Sequence, residues 1–112
     1  MHRSERVQQL ITETVGQLIV TKQIKDPRVH SLASVVRVTV TKDFSHARIY
    51  IGGYLSPPQL EKTVVGLNSA AGFVQAKLAQ ALNTRQTPRV KFFPDPSIGE
   101  GFDVMKKLAD NP

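Results

Sequence analysis

The residue types that most often carry catalysis or bind metals are few in this 112-residue chain, and they are widely spaced. Cysteine is absent, which excludes disulfides, thiolate metal sites and a cysteine nucleophile. The three histidines, His2, His30 and His46, do not fall in a His-x-x-x-His or Glu-x-x-His pattern. Such a pattern would place two ligands on one face of a helix. Each histidine is therefore interpreted as solvated or locally hydrogen-bonded.

Other catalytic signatures are missing as well. Neither a Gly-x-Ser-x-Gly elbow nor a glycine-rich phosphate fingerprint occurs, and the carboxylates are scattered. The closest acidic group is Asp95, Glu100 and Asp103, and helix capping accounts for Glu100. The sequence predicts no enzyme, no cofactor, no metal and no small-molecule substrate. A small enzyme that depends on His46 or Asp43 is the least favoured alternative.

The charge balance favours a polyanionic partner. Fifteen lysines and arginines stand against nine acids, for a formal charge of +6. No apolar run approaches the roughly 20 residues of a membrane helix, and no signal peptide is readable at the amino end. The sequence therefore predicts a cytoplasmic protein without a membrane partner.

Much of the positive charge falls in predicted loops, where long cationic side chains can reach phosphates without disturbing a core. Phe44 and Tyr50 are the aromatic residues that would stack on unpaired bases, although Phe44 would equally cover a turn. The alternative is a generic solvated surface. The candidate phosphate contacts are Arg3, Arg6, Lys22, Lys25, Arg28, Lys42, Arg85 and Arg89.

Hydrophobic periodicity defines the elements that must position these residues. Apolar residues at helical spacing predict a helix from about residue 4 to 21. Alternation over 36–40 and 47–51 predicts an antiparallel hairpin with Val36 on its buried face. Ser56 and Gln59 form a capping box ahead of a helical stripe that runs to about Leu82. A third strand opens at Pro88, and a short helix is predicted over 97–109.

The long helical stripe of residues 57–82 is expected to bend in its middle. Gly and Ser favour kinks, and small residues allow two helix halves to meet closely. The bend is therefore predicted within Ala70-Ala71-Gly72, with the two helices meeting near Gly72.

The resulting order, α-β-β-α-(kink)-α-β, is that of a type II KH domain, an α+β fold. A three-stranded sheet packed against helices is expected, in a single domain with a core over about residues 4–94. KH domains clamp single strands with a Gly-x-x-Gly loop between two helices. No two glycines here lie three apart, so an ordinary clamp is missing.

These features resemble the bacterial ribosome-binding factor A family, a KH-like family whose Gly-x-x-Gly loop is replaced by an Ala-x-Gly helix kink. Ala70-Ala71-Gly72-Phe73 matches that element, and the resemblance runs from about Arg3 to Leu108. Other matches are Arg6-Val7, the Ile24–Arg28 run, Val38–Val40, the Lys42–Tyr50 run and the Pro88–Ile98 run. Lys42 departs from the family, in which many members have arginine.

The resemblance implies a non-enzymatic assembly factor, expected to be a monomer. It would bind the free, immature small (30S) ribosomal subunit and its 16S rRNA, aid 5′-end processing and support growth in the cold. The alternative is a protein-interaction module that recruits an acidic partner through a sheet edge, either at Arg89, Lys91 and Phe93 or on the outer face of the hairpin.

Overall fold

A computed structural model describes residues 3–82 and 86–95 of the chain. The elements are α1 (Arg3–Val20), β1 (Ser34–Val40), β2 (His46–Gly52), α2 (Pro57–Ser69), α3 (Ala71–Leu82) and β3 (Arg89–Pro94). This is the predicted α+β order, with bounds within a few residues of those expected. The helix predicted over 97–109 lies outside the described residues.

The sheet has the strand order β1-β2-β3. The hairpin strands β1 and β2 are antiparallel, whereas β3 pairs parallel to β2 after the chain has crossed over through α2 and α3. The register skips Val36, because Val35 lies opposite Ile51 and Arg37 lies opposite Tyr50. The expectation that Val36 is buried is wrong: this irregularity leaves it 37% exposed.

The core lies between the sheet and the helices. The inward residues of the central strand, Ala47, Ile49 and Ile51, are at most 1% exposed. They pack in one cluster with Ile11 and Val15 of α1 and with apolar residues of α2 and α3. Burial of one face and solvation of the other explains why alternation predicted the strands correctly.

The start of α2 is fixed locally. Ser56 accepts a hydrogen bond from the Gln59 amide at 3.3 Å, and the Gln59 side chain accepts one from the Ser56 amide at 2.9 Å. Leu55 and Leu60, which flank this capping box, are both buried. The predicted capping box is confirmed.

The break in the long helix is also confirmed, but it lies at Ala70. The Ala70 amide donates to Gly66 and Leu67, at 3.1 and 3.0 Å, and its backbone (φ −94°, ψ 10°) leaves the helical region. A Cβ added at Gly72 would meet no described atom of α2 or of the sheet within 4 Å. The expectation that Gly72 lets the two helices approach closely is therefore wrong.

Candidate nucleic-acid interface

One group of candidate cations meets where α1 begins and the hairpin turns. The Arg3 guanidinium lies 5.0 Å from the centroid of the Phe44 ring, in a cleft that Lys42 also lines. The Arg89 amide donates to the Ser45 carbonyl at 2.9 Å, so β3 begins beside the same turn. Arg6 lines a second cleft together with Arg3. We call Arg3, Arg6, Lys42 and Arg89 the hairpin-end cluster.

The turn that carries Lys42 is held by the Asp43 carboxylate. Its Oδ1 accepts from the Ser45 hydroxyl at 2.7 Å, the Ser45 amide at 3.1 Å and the Thr41 hydroxyl at 2.8 Å. The Ser45 hydroxyl is the main cause that lowers the pKa of Asp43 from 3.8 to about 2, since each bond favours the ionised form. At neutral pH the Asp43 carboxylate is therefore ionised and accepts all three bonds, and Phe44 in this turn has a φ of +60°.

The second group of cations lies after the carboxyl end of α1. Lys22 and Lys25 are exposed, whereas Arg28 makes a short ion pair with Asp26, with 2.6 Å between Nη2 and Oδ2. The Arg28 side chain lowers the pKa of Asp26 to about 2, and Asp26 in turn raises the pKa of Arg28. We call Lys22, Lys25 and Arg28 the kink-side cluster.

Arg28 connects this cluster to the helix break. Its Nη2 also donates to the Ser69 hydroxyl at 3.0 Å, at the last residue of α2. Gly66 makes the close approach possible, because a Cβ there would lie 3.0 Å from Val29 and 3.1 Å from the Asp26 carboxylate. Sequence reasoning missed Gly66, since nothing local shows that a loop about 40 positions earlier packs on it. Arg28 therefore positions the kink as well as carrying charge.

The structure thus divides the predicted contacts into two clusters at opposite ends of α1. That helix has 18 residues and separates them by roughly 26 Å at 1.5 Å per residue. Arg85 lies outside the described residues. A single RNA surface would have to span both ends of the helix to meet every predicted contact.

Both described histidines are locally hydrogen-bonded, as predicted. His46 Nδ1 shares a 2.8 Å hydrogen bond with the Ser45 hydroxyl, and His30 Nδ1 accepts from the Leu32 amide at 3.0 Å. Within residues 3–82 and 86–95, no three potential metal ligands lie close enough together to hold an ion. None of the described helices is long and apolar enough to cross a membrane.

The outer face of the sheet carries cations that the candidate set omitted, namely Arg37, Arg48 and Lys91. Their side chains are exposed, and Arg37 covers Tyr50 with 4.2 Å between the guanidinium and the ring centroid. The strand alternation that identifies the buried face places them on the opposite face, and this signal was available in the sequence.

The free edge of β3 is already covered, which counts against the sheet-edge alternative. Asn68 accepts a hydrogen bond from the Phe92 amide at 2.8 Å and donates one to the Phe92 carbonyl at 3.1 Å. The Val90 amide donates to Gln75 at 3.4 Å. Strand addition needs these backbone groups, so the expectation of a recruiting edge at β3 is wrong.

The fold and its exposed cations define a small basic KH-like domain in which α2 and α3 meet at a kink at Ala70 in place of a Gly-x-x-Gly loop. A family model described as Ribosome-binding factor A matches residues 3–108. The chain belongs to the ribosome-binding factor A family.

Curated relatives share most of their length with this chain. A ribosome-binding factor A of Treponema denticola is 41% identical over 106 residues, which are 95% of this chain and 80% of that protein. One from Borrelia garinii is 36% identical over 101 residues, which are 90% of this chain and 84% of that protein.

Two known structures are similar in fold. The crystal structure of ribosome-binding factor A from Thermus thermophilus has a TM-score of 0.69 at 24% identity, covering 83% of this chain and 97% of that one. The second is a homology model of the Thermus thermophilus factor, fitted into a cryo-EM map of its complex with the 30S subunit. It has a TM-score of 0.62 at 25% identity and covers 78% of this chain and 89% of that one.

Proposed function

We propose that this protein is a non-enzymatic assembly factor that binds the free, immature 30S subunit and its 16S rRNA in the cytoplasm. The observation that carries this proposal is the similarity to a family member fitted into a map of a 30S complex. The two exposed basic clusters supply the charge that such a site on RNA requires. The protein also aids late maturation of the subunit and 5′-end processing of its rRNA. It supports growth in the cold and acts as a monomer.

The phosphate contacts are assigned to both clusters. Lys22 and Lys25 reach out from the kink side, while Arg3, Arg6, Lys42 and Arg89 serve at the hairpin end. Arg28 contributes through the part of its guanidinium that does not bond Asp26 or Ser69. Arg85, which lies outside the described residues, is included because the sequence analysis selected it.

The spacing of the clusters gives the protein a means of selecting one rRNA conformation. The clusters sit on a rigid frame, because a packed helix separates them and hydrogen bonds fix both loops. RNA that presents phosphates at both sites at once gains more binding free energy than RNA that presents them at one. Only such a difference in affinity shifts an equilibrium between two conformations. Ala70 and Ala71, half-buried against the core, and Gly72 join α2 to α3 and complete the proposed face.

The test is co-sedimentation of the protein with purified 30S subunits over a range of salt concentrations. Two double variants each reverse the charge of two cations in one cluster. They are Lys22→Glu with Lys25→Glu and Lys42→Glu with Arg89→Glu. Each double variant is expected to bind less tightly and to lower the slope of log affinity against log salt. The slope should fall by about 0.7–0.9 for each phosphate that the variant no longer neutralises.

The control is Lys62→Glu, which reverses one charge, half the change of a double variant, at an exposed position of α2 that belongs to neither cluster. A fall in log affinity for Lys62→Glu that is half the fall of a double variant would show only a response to net charge. If both double variants bind like the wild type at every salt concentration, the proposed surface is wrong. A wild-type protein that stays entirely free of 30S subunits at low salt would contradict the function itself.

A further inference from the structure

The outer face of the sheet carries a row of stacked planar groups. Arg37, Tyr50 and Phe93 come from three adjacent strands, and the register places Tyr50 directly between the other two. The Arg37 guanidinium lies 4.2 Å from the centroid of Tyr50. The Tyr50 and Phe93 rings are stacked, with centroids 5.6 Å apart and 28° between their planes. We call these three residues the sheet platform.

Positive charge surrounds the sheet platform. Lys91 lies 5.4 Å from the centroid of Phe93, and Arg48 stands exposed between Thr39 and Lys91 in the register. The three strands contain Arg37, Arg48, Arg89 and Lys91 but no carboxylate. Asp43 and Asp95 flank the face at its two ends, and Asp43 is already bonded within its own turn.

The geometry points to a binding site for unpaired nucleotides on this face, and we propose that the sheet platform stacks one or two bases while Arg48 and Lys91 hold their phosphates. The inference rests on the proposed function, because folded rRNA would present the unpaired nucleotides. The site is separate from the helix side of the molecule, where KH domains hold a strand between two helices.

The chemistry of the face favours a nucleotide over an acidic peptide. Both ligands would satisfy the cations, but only a base offers a flat π-surface that extends a row of stacked rings. The Arg37 guanidinium is also a stacking surface, so a base can add to either end of the row. Tyr50 and Phe93 are only half-exposed, which limits the site to a few bases and excludes a long intercalated strand.

Tyrosine fluorescence can report directly on binding at the sheet platform. There are two tyrosines and no tryptophan, so Tyr54→Phe leaves Tyr50 as the only strong fluorophore. Titration of this variant with a hexameric oligoadenylate should quench the emission of Tyr50. A blunt RNA duplex with the same number of phosphates should cause little quenching. Adding Phe93→Leu to this variant is expected to weaken hexamer binding about 5- to 100-fold, the range for loss of one stacked base.

Further titrations distinguish nucleotide binding from binding of an acidic partner. Arg37→Ala leaves both rings in place and should weaken hexamer binding less than Phe93→Leu does. Polyglutamate of equal charge should compete weakly. Competition as strong as that of the hexamer would overturn the proposal in favour of an acidic protein partner. Equal quenching by duplex and single strand would overturn it as well.

The same proteins distinguish this failure from failure of the proposed function. If the Tyr54→Phe variant co-sediments with 30S subunits while the hexamer leaves Tyr50 emission unchanged and Phe93→Leu has no effect, the sheet platform is not a nucleotide site and the proposed function stands. If the hexamer binds as expected but no variant binds 30S subunits, the proposed function is wrong and the sheet platform is still supported as a nucleotide site.

Discussion

Asn68, near the end of α2, pairs with the backbone of Phe92 in both directions. Its side-chain oxygen accepts from the Phe92 amide at 2.8 Å and its nitrogen donates to the Phe92 carbonyl at 3.1 Å. The Asn68 side-chain amide therefore makes the backbone hydrogen bonds that a fourth strand would make at Phe92. The pairing occupies the β3 edge of the sheet and holds α2 on β3 just before the helix breaks.

Asn68→Ala should destabilise the protein by about 1–3 kcal/mol, because the partly buried Phe92 amide and carbonyl lose their partners. Urea unfolding monitored by circular dichroism measures the change. Asn68→Asp is the matched control: it accepts from the amide but cannot donate to the carbonyl, so it should fall between wild type and Asn68→Ala. Two variants of equal stability would contradict the bidentate role.

Thr63 should be required to hold the kink-side loop. Its buried hydroxyl accepts from the His30 amide at 3.2 Å and donates to the Arg28 carbonyl at 3.4 Å. Thr63→Val keeps the shape but removes both bonds, and it should cost about 1–2 kcal/mol in unfolding free energy. Thr63→Ser retains the hydroxyl and serves as the control. Faster amide hydrogen exchange at His30 in the valine variant alone would confirm the assignment.

The two glycines near the helix break should respond in opposite directions to alanine. Gly72→Ala should raise stability by about 0.5–1 kcal/mol, since alanine is the better helix former and the added methyl meets nothing. Gly66→Ala should lower it by about 1 kcal/mol, because the methyl would press on Val29, Asp26 and Arg28. Thermal unfolding of both variants checks the signs. A stabilised Gly66→Ala protein would show that the loop is free to move away.

Acid should weaken the fold through Asp26 and Asp43. Their pKa values are lowered from 3.8 to about 2 in the folded protein, so the unfolded chain binds protons first as the pH falls. The stability they contribute is complete above about pH 4 and is lost as the pH drops through about 2. Urea unfolding between about pH 5 and pH 2 should show a steeper loss for wild type than for Asp26→Asn with Asp43→Asn. Parallel curves would mean that neither carboxylate is coupled to folding.

Local patterns and long-range contacts explain which features the sequence could predict. The hairpin alternation and the Ser56 capping box depend on residues within a few positions of one another, and both are confirmed. The position of the helix break depends on partners far away: Asn68 bonds a residue 24 positions later, and Ser69 bonds one 41 positions earlier. Those contacts fix the end of α2, so composition alone placed the break two residues too late.

The candidate cations show the same division. Loop composition identified Lys22, Lys25 and Lys42 as exposed, and all three side chains are exposed in the structure. It could not show that Arg28 also bonds Ser69, since that contact needs the end of α2 beside the loop. Nor could it show that Arg37 covers Tyr50, because that geometry depends on the strand register.

The parallel pairing of β2 with β3 has a consequence for the time course of folding. The hairpin can form as soon as residues 34–52 are available, but β3 begins only at Arg89 and must wait for two helices to form between them. Pairings of such sequence separation form slowly, because the intervening chain must first be ordered. During synthesis, one side of β2 therefore remains open until the last strand of the sheet has left the ribosome.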